Sequence, residues 1–186
     1  MPKPPTTNKR VLKELNTELK NLQAELAAVN KAAGIDDHIT VKITTNQAHF
    51  ERTKTRAGES RNHGVFYIQV DITTKSDTVF IPLSIASGKK PTGFLYQIEG
   101  TAAGAIGTAT IKCRGEGITE ITVGTIQFAK IPTGSTATFT IQITIEGKRA
   151  KIYNINLTKI NYKLSLTVAR YQSYTKELRS RSVTLS

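Results

Sequence analysis

The spacing of apolar residues changes once along this chain, and the change limits the fold more than any other feature. Between Leu12 and Ala33 apolar residues recur at alternating intervals of three and four, whereas after residue 35 they recur at every second position within short segments. The first spacing is typical of a coiled-coil helix, and the second is typical of a β-strand with one buried face. The sequence therefore predicts one N-terminal helix followed by an all-β domain.

The predicted helix spans residues 11–34 and follows a polar, proline-rich arm of residues 1–10. Its polar positions are good helix formers, and Gly34 is a natural C-terminal stop. A helix of this length is marginal alone in water, so its apolar row needs a partner. The row is narrow, which favours self-association into a trimer or a dimer over docking on the β-domain. The predicted oligomer contacts are Leu12, Leu15, Leu19, Leu22, Leu26 and Val29.

Residues 35–170 carry the pattern of antiparallel β-structure. Alternating segments rich in Ile and Thr are separated by turn-like segments such as SGKKPTG and IPTGS, and no helical pattern lies between them. We therefore predict about nine strands in an antiparallel β-sandwich of jelly-roll or immunoglobulin-like type. The clearest alternation places Phe139, Ile141 and Ile143 together on one face, which is expected to be buried.

Positive charge is concentrated in two places. The net charge is +12, and residues 147–186 hold nine basic residues and one acidic residue. A second basic cluster lies in the segment ERTKTRAGESRNHG, which reads as a long loop because it lacks apolar periodicity. Residues 171–186 are predicted to be a basic C-terminal arm that contacts a neighbouring subunit or a polyanion such as nucleic acid. The residues of these contacts are Arg52, Lys54, Arg56, Arg61, Arg170, Tyr171, Tyr174, Lys176, Arg179 and Arg181.

Groups that could perform chemistry are scarce. The three histidines match no local metal-ligand spacing, and no nucleophile elbow, zinc-protease motif or phosphate loop occurs. The single cysteine, Cys113, alternates with apolar residues and is interpreted as a core thiol. We therefore predict no catalytic residues, metal, cofactor or small-molecule substrate. The start, MPKPPTTNKR, predicts neither a signal peptide nor a membrane span, and a virion or extracellular surface is favoured over a cytoplasmic enzyme.

Residues 131–162, IPTGSTATFTIQITIEGKRAKIYNINLTKINY, resemble the repeating sandwich modules of surface and pilin-like proteins in candidate-phylum bacteria. The likeness lies in a strand of the form IP-x-G-x-TATFTI and a second strand ending in L-x-x-INY. It implies a surface or fibre role. Assembly as a type IV pilin is not implied, because the chain begins PKPPTTNKR where such a pilin has a long apolar helix. The sequence thus predicts a structural subunit of a virion, fibre or surface appendage, with a polyanion-binding module as the alternative.

Overall fold

A computed structural model describes residues 7–32, 38–87, 92–99, 106–146, 153–164, 166, 173–178 and 183–185. The chain divides into two compact units, Met1–Asp37 and His38–Ser186. The first contains one helix, α1 (Thr7–Ala32), and the second is built from strands. The predicted mainly β chain with one N-terminal helix is therefore confirmed.

Helix α1 is 26 residues long and begins four residues before the predicted start. Neither glycine nor proline occurs between Thr7 and Ala32, so nothing in this stretch interrupts the backbone hydrogen bonds of the helix. Pro5 precedes the helix and Gly34 follows it, in keeping with the residue types that flank helices.

The second unit contains twelve strands among the described residues. They are β1 (Ile39–Lys54), β2 (Ser60–Thr74), β3 (Val79–Pro82), β4 (Ile85–Ser87), β5 (Phe94–Glu99), β6 (Ile106–Arg114), β7 (Thr119–Val123), β8 (Ile126–Ile131), β9 (Thr136–Glu146), β10 (Asn154–Lys163), β11 (Ser173–Glu177) and β12 (Val183–Thr184).

These strands form two sheets. The first sheet has the order β1-β2-β9-β6, and every pair in it is antiparallel. The second has the order β4-β5-β10-β3-β8-β7, with β11 and β12 also paired to β10. Its β4–β5 pair is parallel and its other pairs are antiparallel.

Both sheets contribute to one hydrophobic core. On β9 the odd-numbered residues from Ala137 to Ile145 are fully buried, which confirms the predicted core face of this strand. The ring of Phe139 on the first sheet lies 5.1 Å from the ring of Phe94 on the second, measured between centroids. Leu178, Val183 and Leu185, near the end of the chain, belong to the same core cluster.

Gly93 allows a close approach of two chain segments at the edge of the core, whereas Gly58 lies in an open turn. At Gly93 an added Cβ would collide with the carbonyl oxygen of Pro82 and would lie 3.1 Å from the carbonyl oxygen of Ser84. Only a residue without a side chain therefore allows the start of β5 to pass this close to the end of β3. By contrast, Gly58 has a φ of 80° in the β1–β2 turn, and a Cβ there would meet open space.

The structure corrects three expectations about the strands. The predicted loop in residues 51–64 is a β-hairpin, because backbone pairing between β1 and β2 continues to Lys54 and Ser60. The segment ITEITVGTIQF is a hairpin of β7 and β8, not one strand, and its φ of 62° at Gly124 makes the turn. The predicted arm of residues 171–186 contributes β11 and β12 to the second sheet, because apolar side chains in it are buried in the core.

Candidate assembly and polyanion surfaces

The predicted oligomer seam lies on α1. Leu15, Leu19 and Leu22 are 55%, 55% and 58% exposed, although leucine is among the residues most often buried. Successive turns of an α-helix place residues three and four apart on the same side, so these leucines form one apolar row. Leu12, Leu26 and Val29 also lie within α1, and their side chains fall outside the described residues. The row presents three large apolar groups to solvent along one side of the helix.

The described side chains that border this row are exposed, and all of them are polar except Val11, which is 47% exposed. Thr17, opposite the seam, donates a hydrogen bond from its hydroxyl to the backbone carbonyl of Lys13 at 2.9 Å. The contrast between the leucine row and its polar surroundings is the pattern of a narrow contact face.

The basic hairpin places its cations on different faces. Arg52 and Lys54 lie on one face of β1 and are exposed. Arg61 on β2 pairs with Thr53, which lies between those two residues, so it belongs to the opposite face. Its guanidinium lies 3.9 Å from the carboxylate of Glu146. The predicted cluster is therefore split, and only the first two residues form a common basic patch.

The turn of this hairpin is fixed by local hydrogen bonds. The backbone N–H of Thr55 donates to the carbonyl of Glu59 at 2.8 Å, and the N–H of Gly58 donates back to the carbonyl of Thr55 at 2.9 Å. Arg56 lies in this turn and is exposed. The tight turn holds its cation at the end of the hairpin, close in sequence to the acidic Glu59.

The C-terminal basic and aromatic residues are only partly within the described part of the chain. Tyr174 on β11 pairs with Tyr162 on β10, and their rings stack with centroids 5.8 Å apart. The Tyr174 ring also lies 6.0 Å from that of His38, so this tyrosine packs within its own chain and keeps 37% of its surface exposed. Lys176 is half-buried opposite Ile160. Arg170, Tyr171, Arg179 and Arg181 lie outside the described residues.

The histidines are held by neighbouring polar groups. His49 bonds Glu51 at 2.6 Å, and His63 bonds the hydroxyl of Thr53 at 2.8 Å. Within the described ranges, no group of three or more His, Cys, Asp and Glu side chains is arranged to hold a metal ion.

A third histidine lies near a serine and an aspartate, but not in the geometry of a catalytic triad. Nδ1 of His38 is 2.9 Å from Oδ2 of Asp77, and the hydroxyl of Ser76 approaches the same nitrogen at 3.3 Å. A triad needs its serine and its carboxylate on different ring nitrogens. Oδ2 of Asp77 accepts a hydrogen bond from the Ser76 hydroxyl at 2.9 Å, and this bond, followed by the one with His38, lowers the pKa of the Asp77 carboxyl.

Two reactive side chains are buried or partly buried, Lys163 and Cys113, and the sequence predicts a core position only for Cys113. Lys163 is only 4% exposed, and its Nζ lies 4.7 Å from the centroid of the Phe128 ring. Burial lowers its pKa to about 8. Cys113 packs against the core as its alternation predicts, and burial, with a smaller effect of Glu120, raises the pKa of its thiol to about 11. Only the position of Lys163 next to the core residue Tyr162 hints at its burial, since a lysine usually marks solvent.

No family model matches this chain, and the searches found no curated protein and no solved structure similar to it. Among the residues that the structure describes, no helix combines the length and the apolar character that crossing a membrane requires.

Proposed function

We propose that this protein is a self-assembling structural subunit of a virion, fibre or cell-surface appendage, with α1 as the oligomerisation element. The observation that carries the proposal is the row of exposed leucines, Leu15, Leu19 and Leu22. Burying a leucine side chain is worth about 1.5–3 kcal/mol, so one such row in each of two or three helices supplies a substantial driving force. The same contact would stabilise a helix that is marginal alone.

The second unit, His38–Ser186, is called the β-unit and suits a role in shell or fibre contacts. We infer that its two sheets, which share one core, form an antiparallel sandwich. The outward face of β9 carries Thr138, Thr140, Gln142 and Thr144, which are half-buried and uncharged. The same face carries Asp71, which accepts a hydrogen bond from Thr138, and Lys112, which pairs with Thr140, so a partner surface would have to match these charges. The resemblance of residues 131–162 to surface and pilin-like modules supports the same role.

The proposal is tested by adding charge to the seam. Replacing Leu19 and Leu22 by Asp should reduce the particle mass to that of one chain, because two carboxylates per helix would have to be buried in the contact. Light scattering coupled to size-exclusion chromatography measures the mass. The matched control replaces Thr17 and Ala24, which are exposed on the opposite side of α1, by Asp.

The two variants add the same charge to the same helix, so they separate a seam effect from a general loss of helix stability. The control should keep the oligomer, and circular dichroism should show that both variants retain the β-unit. An unchanged mass in the seam variant, or equal loss of mass in both variants, would contradict assembly through this row.

A second candidate function is polyanion binding, favoured by the exposed pair Arg52 and Lys54 on one face of the β1–β2 hairpin. Replacing both by Gln should weaken DNA binding and reduce its salt dependence, because each phosphate contact releases counterions. The control replaces Lys112 and Lys130, exposed residues on β6 and β8, which removes the same charge elsewhere. Equal loss in both variants would indicate a response to net charge alone and would exclude a hairpin site.

A further inference from the structure

The side chains beside the leucine row indicate how the helices are oriented relative to each other. With Leu19 and Leu22 as the a and d positions of a heptad, Glu18 and Glu25 occupy g positions. The e positions of the same stretch are Asn16 and Gln23. All four flanking side chains are exposed and border the seam. In coiled coils these positions contact the neighbouring helix and set its direction.

An antiparallel pair would bring like charges together. When Leu19 of one helix is level with Leu22 of the other, g positions face g positions, so Glu18 meets Glu25 of the second copy twice per pair of helices. The corresponding e positions, Asn16 and Gln23, offer no cation to offset the four carboxylates. Coulomb repulsion between these carboxylates makes the antiparallel contact unfavourable.

A parallel arrangement removes this conflict. Each g position then faces the following e position of its neighbour, so Glu18 lies beside Gln23 of the second copy. A carboxylate can accept a hydrogen bond from a side-chain amide, and a bond to a charged acceptor is stronger than a neutral one. The sequence thus pairs acceptors with donors only when the helices run in the same direction and in register.

We propose that α1 associates with α1 of further copies of this chain as a parallel, in-register coiled coil, an inference that rests on the proposed self-assembly. The pairing rule is the same in a dimer and in a trimer, so the orientation does not depend on the number of copies. Because the β-unit follows α1 in the chain, every copy would carry its β-unit from the same end of the coil.

The orientation is tested by distance measurement between spin labels. Val11 flanks the seam and is exposed, so Val11→Cys in a Cys113→Ser background adds one label per chain and keeps every leucine. In the antiparallel register residue 11 lies level with residue 30 of the partner, so the labels would be separated by about 28 Å along the axis at 1.5 Å per residue. In the parallel arrangement they lie at the same level, so pulsed electron resonance should give a short distance only.

The particle mass of the same labelled sample separates the two proposals. An oligomer with a distance of about 28 Å or more between labels would overturn the parallel orientation and leave self-assembly intact. A sample with the mass of one chain would overturn self-assembly itself. An oligomer with only the short distance supports both.

A charge substitution tests the reason for the orientation. Glu25→Lys converts the unfavourable g-to-g contact of the antiparallel form into an attraction with Glu18, so the labelled variant should gain a long-distance population. Glu25→Gln, the control, removes the repulsion without adding attraction and should shift the population less. If the short distance persists unchanged in the Lys variant, the glutamates do not set the orientation and the argument fails.

Discussion

Replacing the buried Lys163 by Met should change stability in a manner that depends on pH. The Lys163 side chain is 4% exposed, and burial lowers its pKa from 10.5 to about 8. In the unfolded chain the amine stays protonated until pH approaches its ordinary value. Keeping the ammonium charged in the native site therefore opposes folding.

The sign and size follow from proton linkage. Below pH 8 the amine is protonated in both the native and the unfolded state, so the cost of burying its charge is fully present. As pH rises from 8 to 10.5, the native state loses its proton first, so the wild-type chain gains stability. One pKa unit corresponds to about 1.4 kcal/mol, so the full gain in the free energy of unfolding of the wild type is on the order of 3 kcal/mol. About 2 kcal/mol of this gain should be reached at pH 9.5.

The assay is urea unfolding of both proteins at pH 7 and pH 9.5. The difference in unfolding free energy, Lys163→Met minus wild type, should decrease by about 2 kcal/mol between the two pH values. The contact of Nζ with the Phe128 ring favours the charged amine, so it opposes the lowering of the pKa and does not cause it. Lys130→Met, at an exposed position on β8, is the control and should show little dependence on pH. A pH-independent difference for Lys163→Met would refute the reasoning.

Three further predictions concern the β-unit. Phe139→Ala should lower the free energy of unfolding by about 3–5 kcal/mol, because it leaves a cavity in the core, whereas Gln142→Ala on the outward face should change it by less than about 1 kcal/mol; equal effects in urea unfolding would contradict the assigned faces. Gly93→Ala should destabilise the protein more than Gly58→Ala, because the strain of about 1–2 kcal/mol in Gly58→Ala comes only from its left-handed backbone. A lower melting temperature for Gly58→Ala than for Gly93→Ala would contradict the close approach at Gly93. Cys113 should react with iodoacetamide at pH 8 about a hundredfold more slowly in the native protein than in urea, because burial raises the pKa of its thiol from 9.0 to about 11 and the thiolate is the reactive form. Equal rates would show that burial does not protect the thiol.

Periodicity in the sequence was sufficient where one face of a strand is continuously buried. The alternation from Ala137 to Ile145 identified both β9 and its core face, because only one face of a paired strand needs to be dry. The helix was equally visible, since its leucine spacing and its helix-forming residues indicate the same structure.

Periodicity failed where backbone pairing extends beyond the core. Residues 51–64 are polar on both faces, so no apolar pattern marks them, although the hydrogen bonds between β1 and β2 continue to Lys54. A shift of register between Ile43 and Thr45 hides the pattern further, because a bulge moves the core face from odd-numbered to even-numbered residues. Local sequence does not record such a shift.

The split of the basic hairpin and the burial of the chain end are consequences of pairing between distant segments. Arg52 and Arg61 are close in sequence, yet the register of the hairpin separates them onto opposite faces. Near the C-terminus, the spacing of Val183 and Leu185 was a weak sign of a strand, and the surrounding charge obscured it. Which side chains share a surface therefore required the pairing itself.

The most direct test of self-assembly is the mass of the unmodified chain by sedimentation equilibrium across a range of micromolar concentrations. One chain has a mass of 20.4 kDa. The proposal predicts a particle of two or three chains whose mass falls towards that of a single chain on dilution. A constant mass of one chain at every concentration would contradict assembly through α1.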